Sequence, residues 1–268
     1  MVASRCMVCD GRGRPSFSKE FGGLCGLGRV EYTRCQDCGF TWSDTHFRMP
    51  PDEWNSVNER YHRQYFGTEH NADDPRWIAR LQAQQALLLT MRRDSIFDDS
   101  LPAIDWGCGD GKLADMLNAS GLPVGKYDKF IDHQRPGYLR DGALQPGRFG
   151  LVINTSVFEH VLDLGTLDAI EACVHPSRGV LAVHTLVSEE VPQDPAWFYL
   201  LPVHVSFFSN RSMSLLMQRW RYAASLYDVE SRMWLMFREE AISRRAFDVA
   251  RTAGRDAYVS GGFMDYWK

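Results

Sequence analysis

The stretch LPAIDWGCGDGKLADMLNASGLPVGKYD, residues 101–128, constrains this chain more than any other. Ile104, Asp105 and Trp106 close a short apolar strand, and Gly107, Gly109 and Gly111 follow at alternate positions. Residues 112–118 then read as the first turns of a helix. Glycine lacks a Cβ, so the backbone can turn tightly here and lie flat against a bound ligand. The helix N-terminus aims its free N–H groups into the same space. Residues 124–127 form a second strand, and Asp128 stands at its end. An acid in that place can accept two hydrogen bonds from a ribose diol.

Dinucleotide-binding folds also open on a glycine turn, but their spacing is G-x-G-x-x-G, and here it is G-C-G-D-G. The pattern resembles the Asp-x-Gly-x-Gly-x-Gly signature of class I S-adenosylmethionine-dependent methyltransferases. By that resemblance Asp105, Gly107, Gly109 and Gly111 line the methionine side of S-adenosylmethionine, and Asp128 takes the ribose hydroxyls. The fold it implies is α/β, a Rossmann-like seven-stranded methyltransferase sheet. An ordinary strand–turn–helix with capping glycines is the competing reading.

With 268 residues the chain has room for one full α/β domain and a small module beside it. A net charge of −4 leaves no electrostatic footprint for nucleic acid or an anionic membrane. No apolar run approaches the ~20 residues of a membrane span, and the N-terminus lacks the apolar core of a signal peptide. Seven cysteines in such a chain point to a reducing compartment. The expectation is a cytoplasmic protein with a small-molecule partner and neither nucleic acid nor membrane.

Cys6, Cys9, Cys35 and Cys38 form two C-x-x-C knuckles, the four-thiolate set that zinc prefers. The 25 residues between the knuckles hold six glycines and read as a flexible loop ahead of strands at 30–33 and 40–42. A redox pair and chance spacing are the alternatives. Cys25, Cys108 and Cys173 lack such pairing and read as packed residues. Residues 1–47 carry six basic and five acidic side chains, too even a balance for a phosphate-reading surface. A zinc ribbon ahead of a methyltransferase domain is similar to a pattern in sugar C-methyltransferases and related bacterial biosynthetic enzymes. Those usually carry a large further domain after the core. The ribbon reads as structural, because four sulfur ligands leave zinc no open position.

This divides the chain into a zinc ribbon at 1–47, a helical linker and lid at 48–98, and a methyltransferase domain at 99–268. Within the linker, 52–66 carries Trp54, Tyr61, Tyr65 and Phe66, either a cover for the site or a packed aromatic stripe. Residues 71–75 break the pattern, and 76–93 then read as an apolar-faced helix on one edge of the sheet. After Asp128 the chain is broken by glycine and proline, so a reduced third strand is expected at 138–141. His133 lies in this unplaced loop.

Residues 149–156 (FGLVINTS) and 157–161 (VFEHV) resemble the family's fourth strand and its Leu-Glu-His-Val helix start, with Gly150 in place of the usual Asp. That exchange is expected to cost packing or a hydrogen bond. Residues 204–209 (HVSFFS) resemble a His-x-x-Phe-Phe-Ser stretch of many members. A hairpin at 222–237 and a helix at 239–253 close the sheet; the last eleven residues carry no motif.

Methyl transfer is an in-line displacement in which the cofactor brings the reactive group and the protein positions the acceptor. An alcohol acceptor needs a base or a metal, and a carbon acceptor needs a base. Histidine suits the task. His160 and His204 are the candidates for the acceptor's proton, with Glu159 orienting one of them; packing against the cofactor is the other reading of His160. The acceptor class implied is a small molecule, a sugar or a biosynthetic intermediate. An inactive methyltransferase fold serving as a zinc-ribbon binding module is the alternative, and an NAD-dependent enzyme is disfavoured by the glycine spacing.

Overall fold

The structure, a computed structural model, describes residues 5–65, 75–131, 135–194 and 196–265. Phe66, residues 71–74 and His133 lie outside them. In chain order the elements are β1 (Gly13–Glu20), β2 (Arg29–Cys35), β3 (Thr41–Ser43), α1 (Asp44–Phe47), α2 (Pro51–Tyr65) and α3 (Pro75–Arg93). Then come β4 (Ala103–Trp106), α4 (Lys112–Ala119), β5 (Val124–Tyr127), β6 (Leu151–Thr155), α5 (Leu164–Ala172) and β7 (Val180–His184). The chain continues through β8 (Ser206–Phe207), α6 (Asn210–Arg219), β9 (Ala224–Asp228), β10 (Met233–Phe237), α7 (Glu240–Thr252) and β11 (Ala257–Gly261). The described residues fall into two compact units. One draws on 1–74, 158–166 and 186–216, and the other on 75–157, 167–185 and 217–268.

The first unit is built on an antiparallel sheet in the order β1-β2-β3-β8. The stretch between the knuckles is an ordered hairpin and not the flexible loop its glycines suggested. β1 pairs with β2 from Gly13↔Cys35 to Glu20↔Arg29, with a bulge between Pro15 and Phe17. The signal was alternation: in β2, Val30 and Tyr32 are buried while Arg29 and Glu31 face out. Gly22 and Gly23, both with positive φ, serve the turn at the tip of the hairpin. Tyr32, Phe207 and Leu27 share a core with Val57 and Tyr61 of α2, and Trp54 packs against it. Trp54 and Tyr61 of α2 are therefore spent on packing, each fully buried large side chain contributing about 1.5–3 kcal/mol.

The second unit is the Rossmann-like seven-stranded sheet, in the order β11-β9-β10-β7-β6-β4-β5. β5, β4, β6 and β7 are parallel, and each pairing from β7 through β10 and β9 to β11 is antiparallel. β6 (LVINT) and β7 (VLAVH) are almost wholly buried, as strands covered on both faces must be. Leu87, Leu88 and Met91 of α3 join Leu113 and Leu117 of α4 in the core beside the sheet.

Two details differ from the sequence reading. The reduced third strand is a single bridge, Lys126↔Tyr138, and the seventh strand is β11 on the opposite edge. β11 comes from a segment that carried no motif. It is held by Arg255, whose guanidinium makes two 2.7 Å bonds to the buried Asp228, and by Trp234 Nε1 donating to Met264 O at 2.8 Å. At Gly150 nothing is lost: a Cβ there would lie 3.0 Å from Leu101 Cβ and collide with the backbone oxygen of Asp98. Glycine is what lets that loop cross the start of β6. Among the described residues no helix is long and apolar enough to cross a membrane.

Candidate functional site

In the second unit the strand order reverses between β4 and β6, and open α/β sheets bind ligands at the carboxyl ends flanking such a point. Asp105 and Trp106 end β4, and Asn154 stands next to last in β6, where its Nδ2 donates to Trp106 O at 2.9 Å. Gly107, Gly109 and Gly111 all take positive φ. Gly111 is the N-cap of α4, and a Cβ on it would lie 2.8 Å from Lys126 Cε. Among the described residues a Cβ on Gly109 would meet nothing within 4 Å, so the loop presents bare backbone there. Asp128 follows β5, and both of its carboxylate oxygens are anchored: Gly109 N donates to Oδ2 at 2.9 Å and Phe130 N to Oδ1 at 2.8 Å.

Asp105 is 1% exposed, and among the described residues its Oδ1 has no hydrogen-bond partner, as is also true of Asn154 Oδ1 and Trp106 Nε1. Such orphaned groups cost roughly 1–3 kcal/mol each unless something fills them. Burial, then the charges of Asp128 and Asp110, push the Asp105 carboxyl up to about 7, against the opposing pull of Lys126. Two buried acceptors beside bare glycine backbone suit a ligand that brings an ammonium group. The residues expected to hold S-adenosylmethionine are thus gathered at one end of one sheet.

The histidine cluster belongs to the first unit. Glu159 and His160 sit in a short 3-10 turn, and His204 lies just ahead of β8. Val205 N donates to Glu159 O at 2.8 Å and Ser206 Oγ to Val161 O at 2.6 Å, and these bonds hold the two segments together. The rings of His160 and His204 lie 4.9 Å apart at 88°, and His62 of α2 approaches His160 at 6.2 Å. Burial first, then the neighbouring imidazoles His204 and His62, pull His160 down to about 3. Burial takes His204 to about 4. Both rings are therefore neutral at pH 7.

Tyr199 ties this cluster together; from sequence it is one aromatic of a 187–202 insertion of the kind that commonly forms an acceptor pocket, with no individual role. Its hydroxyl donates to Glu159 Oε1 at 2.7 Å, and its carbonyl oxygen accepts from His204 Nδ1 at 2.9 Å. Its one sequence signal is its place in the aromatic run Trp197-Phe198-Tyr199. A second pairing also went unread: Ser156, in the left-handed region at φ 56, has its Oγ 3.1 Å from His184 Nδ1 at the ends of β6 and β7.

The four knuckle cysteines converge with every sulfur within 4.8 Å of the others. Cys6–Cys38 is 3.6 Å and Cys9–Cys35 is 3.5 Å. Tetrahedral zinc with bonds of ~2.3 Å sets its sulfurs about 3.8 Å apart, so the donor set fits the ion. Both knuckles turn alike. Asp10 (φ 59) and Gly39 (φ 74) follow them, donating N–H to Cys6 O at 2.9 Å and to Cys35 O at 3.1 Å. A Cβ on Gly11 would lie 2.9 Å from Cys35 Sγ and 3.0 Å from Cys9 Sγ, which would fill the cradle. The seven cysteines are free of disulfides; Cys25 and Cys173 are buried, and Cys108 half-buried.

A family model described as a methyltransferase domain matches residues 76–221. No curated protein matches the chain. Among solved structures, the 1,6-didemethyltoxoflavin-N1-methyltransferase of Burkholderia thailandensis is similar at 14% identity, over 82% of this chain and 97% of that one, with a TM-score of 0.48. A possible histamine N-methyltransferase from Thermotoga maritima is also 14% identical, over 69% and 98%, at 0.40. Human N-acetylserotonin methyltransferase is 15% identical, over 58% of this chain, at 0.38. The match spans about half the length of that human enzyme, 53%.

Proposed function

The chain belongs to the methyltransferase-domain family, and from that premise we propose that it transfers a methyl group from S-adenosylmethionine to a small-molecule acceptor, a sugar or a biosynthetic intermediate. The observation that carries the reading is the anchored Asp128 beside the bare turn at Gly109, with the unpartnered Asp105 oxygen at the end of the neighbouring strand. In this reading Asp128 binds the ribose diol, the glycines Gly107, Gly109 and Gly111 let the cofactor lie against the backbone, and Asp105 and Asn154 receive the methionine ammonium. Glu159 follows Thr155, the last residue of β6, by four positions in the chain. His160 or His204 takes the acceptor's proton, and Glu159 orients the ring.

Zinc held by Cys6, Cys9, Cys35 and Cys38 replaces the core that so small a ribbon cannot build, and serves structure alone. Four cysteines spaced for a metal, with no disulfide among the seven, support a home in the reducing cytoplasm. Calorimetry with S-adenosylhomocysteine and with NAD tests the cofactor. Saturable binding of the first and none of the second is expected, and the reverse would overturn the reading. A mass-spectrometric screen for acceptors that gain one methyl group then tests the acceptor class.

A further inference from the structure

Three of the residues just assigned to the acceptor have a second chemistry available. Glu159, His160 and His204 each offer one ligand atom, and these atoms all lie within 4.8 Å of one another. One carboxylate and two imidazoles are a donor set for divalent first-row transition ions, unlike the all-oxygen sets of magnesium and calcium. The supporting bonds are those a metal site needs. A carbonyl oxygen can only accept, so the 2.9 Å contact from Tyr199 O puts the proton of His204 on Nδ1 and leaves the lone pair on Nε2. Ligating histidines are held in this way, by a backbone carbonyl on the far nitrogen. The carboxylate is braced as well, by the Tyr199 hydroxyl at 2.7 Å from Oε1. Tyr199 thus orients two ligands from outside the cluster. The 2.8 Å bond from Val205 N to Glu159 O keeps their backbones in register.

We propose that Glu159, His160 and His204 bind a divalent transition-metal ion, distinct from the zinc of the four cysteines, and that this ion receives a hydroxyl of the acceptor. The proposal rests on the methyltransferase reading and sharpens it. Three protein ligands leave coordination positions open, as in catalytic sites, whereas four thiolates leave none. A hydroxyl bound there loses its proton to solvent more readily than a free alcohol does. The alkoxide oxygen then forms the bond to the methyl carbon as the carbon–sulfur bond breaks. That bond's electron pair stays on sulfur, giving S-adenosylhomocysteine. The imidazoles serve as ligands in this scheme and not as the proton acceptor, so the two assignments of the same rings are exclusive and one experiment separates them.

The full chain, saturated with Zn²⁺ and passed over a weak chelating resin, is assayed for bound metal. Two equivalents are expected for the parent, and one for Glu159→Gln and for His204→Ala, with the cysteine site still filled. Tyr199→Phe keeps all three ligands and should retain a second site weakened about 10–100-fold. It thereby guards against a ligand variant that merely misfolds. With Co²⁺, the cysteine site shows a thiolate charge-transfer band, and the second equivalent should add only weak ligand-field absorption. One equivalent in the parent, or two in both ligand variants, overturns the proposal. S-adenosylhomocysteine calorimetry on the same samples keeps the two readings apart. Cofactor binding with a single metal removes the ion and leaves the methyltransferase standing. Two metals without cofactor binding do the opposite.

Discussion

The glycine turn of the second unit and the histidine cluster of the first are both built from polar groups on short, irregular segments, yet they are assembled in opposite ways. Asp105 to Asp128 is one continuous piece of chain, shaped by bonds within it, by Asn154 of the adjacent strand, and by Phe130 N and the Tyr138 hydroxyl just beyond it. The cluster draws on α2, on the turn after β6 and on the segment ahead of β8, so His62 and His204 meet across 142 positions of chain. A local site is set by backbone conformation, chiefly the positive φ of its glycines. A distributed site is set by the sheet and core that carry its segments. Perturbing the first should therefore change binding while sparing the fold; perturbing what supports the second should dismantle it.

The largest effect expected follows from that contrast. Removal of zinc, or Cys35→Ser, should unfold the ribbon, because structural zinc supplies on the order of 10 kcal/mol to modules of this kind. The damage should spread through the sheet to β8, since β3 pairs with β8 and Ser209 Oγ bonds to Cys38 O. S-adenosylhomocysteine binding by the second unit should persist. Circular dichroism and calorimetry on the same variant check this, and a protein free of zinc that retains its ribbon fold sinks it.

Next in size is the acceptor side. If one of these imidazoles takes the acceptor's proton, alanine in its place should lower turnover by about 10²–10⁴-fold while cofactor affinity stays put. If His160→Ala and His204→Ala both keep parental turnover once an acceptor is known, the cluster does no acid–base work. Asp128→Ala should weaken S-adenosylhomocysteine by roughly 1–3 kcal/mol, the scale of lost charged hydrogen bonds. Unchanged affinity would mean that the ribose lies elsewhere.

The smallest effect is one of pH. The Asp105 carboxyl, raised to about 7 by burial and by the facing acids Asp128 and Asp110, with Lys126 opposing, holds a proton below that value. An ammonium ligand needs the ionised form. Affinity for S-adenosylhomocysteine should therefore fall as pH drops below about 7, by at most tenfold per unit for one proton. It should fall again at higher pH, where the ligand's own α-amino group loses its proton. Asp105→Asn should flatten the acid side of that profile. A variant that keeps the parental slope would assign it to another group.

Much of this architecture was written into short-range pattern. The turn at Gly107, Gly109 and Gly111 needs positive φ that glycine adopts freely, and its flanking runs AIDW and VGKY are apolar enough to be strands; spacing alone located both. Two C-x-x-C knuckles mark out four thiols at any separation, and in the structure these converge on one another. The sequence by itself thus determined the parallel sheet with its ligand-binding end, and the cysteine cluster. Tertiary structure decided the rest. β11 carries no signal of its own; it exists because Asp228 is buried and Arg255 neutralises it, a pairing of side chains 27 positions apart. Gly150 read as a loss until the backbone at Asp98 was seen to occupy the space. Tyr199 looked like one aromatic among three, and only its hydrogen bonds to Glu159 and His204 set it apart. A backbone conformation is a property of a few neighbouring residues and leaves its mark in them, whereas a contact between distant side chains depends on every element that brings them together.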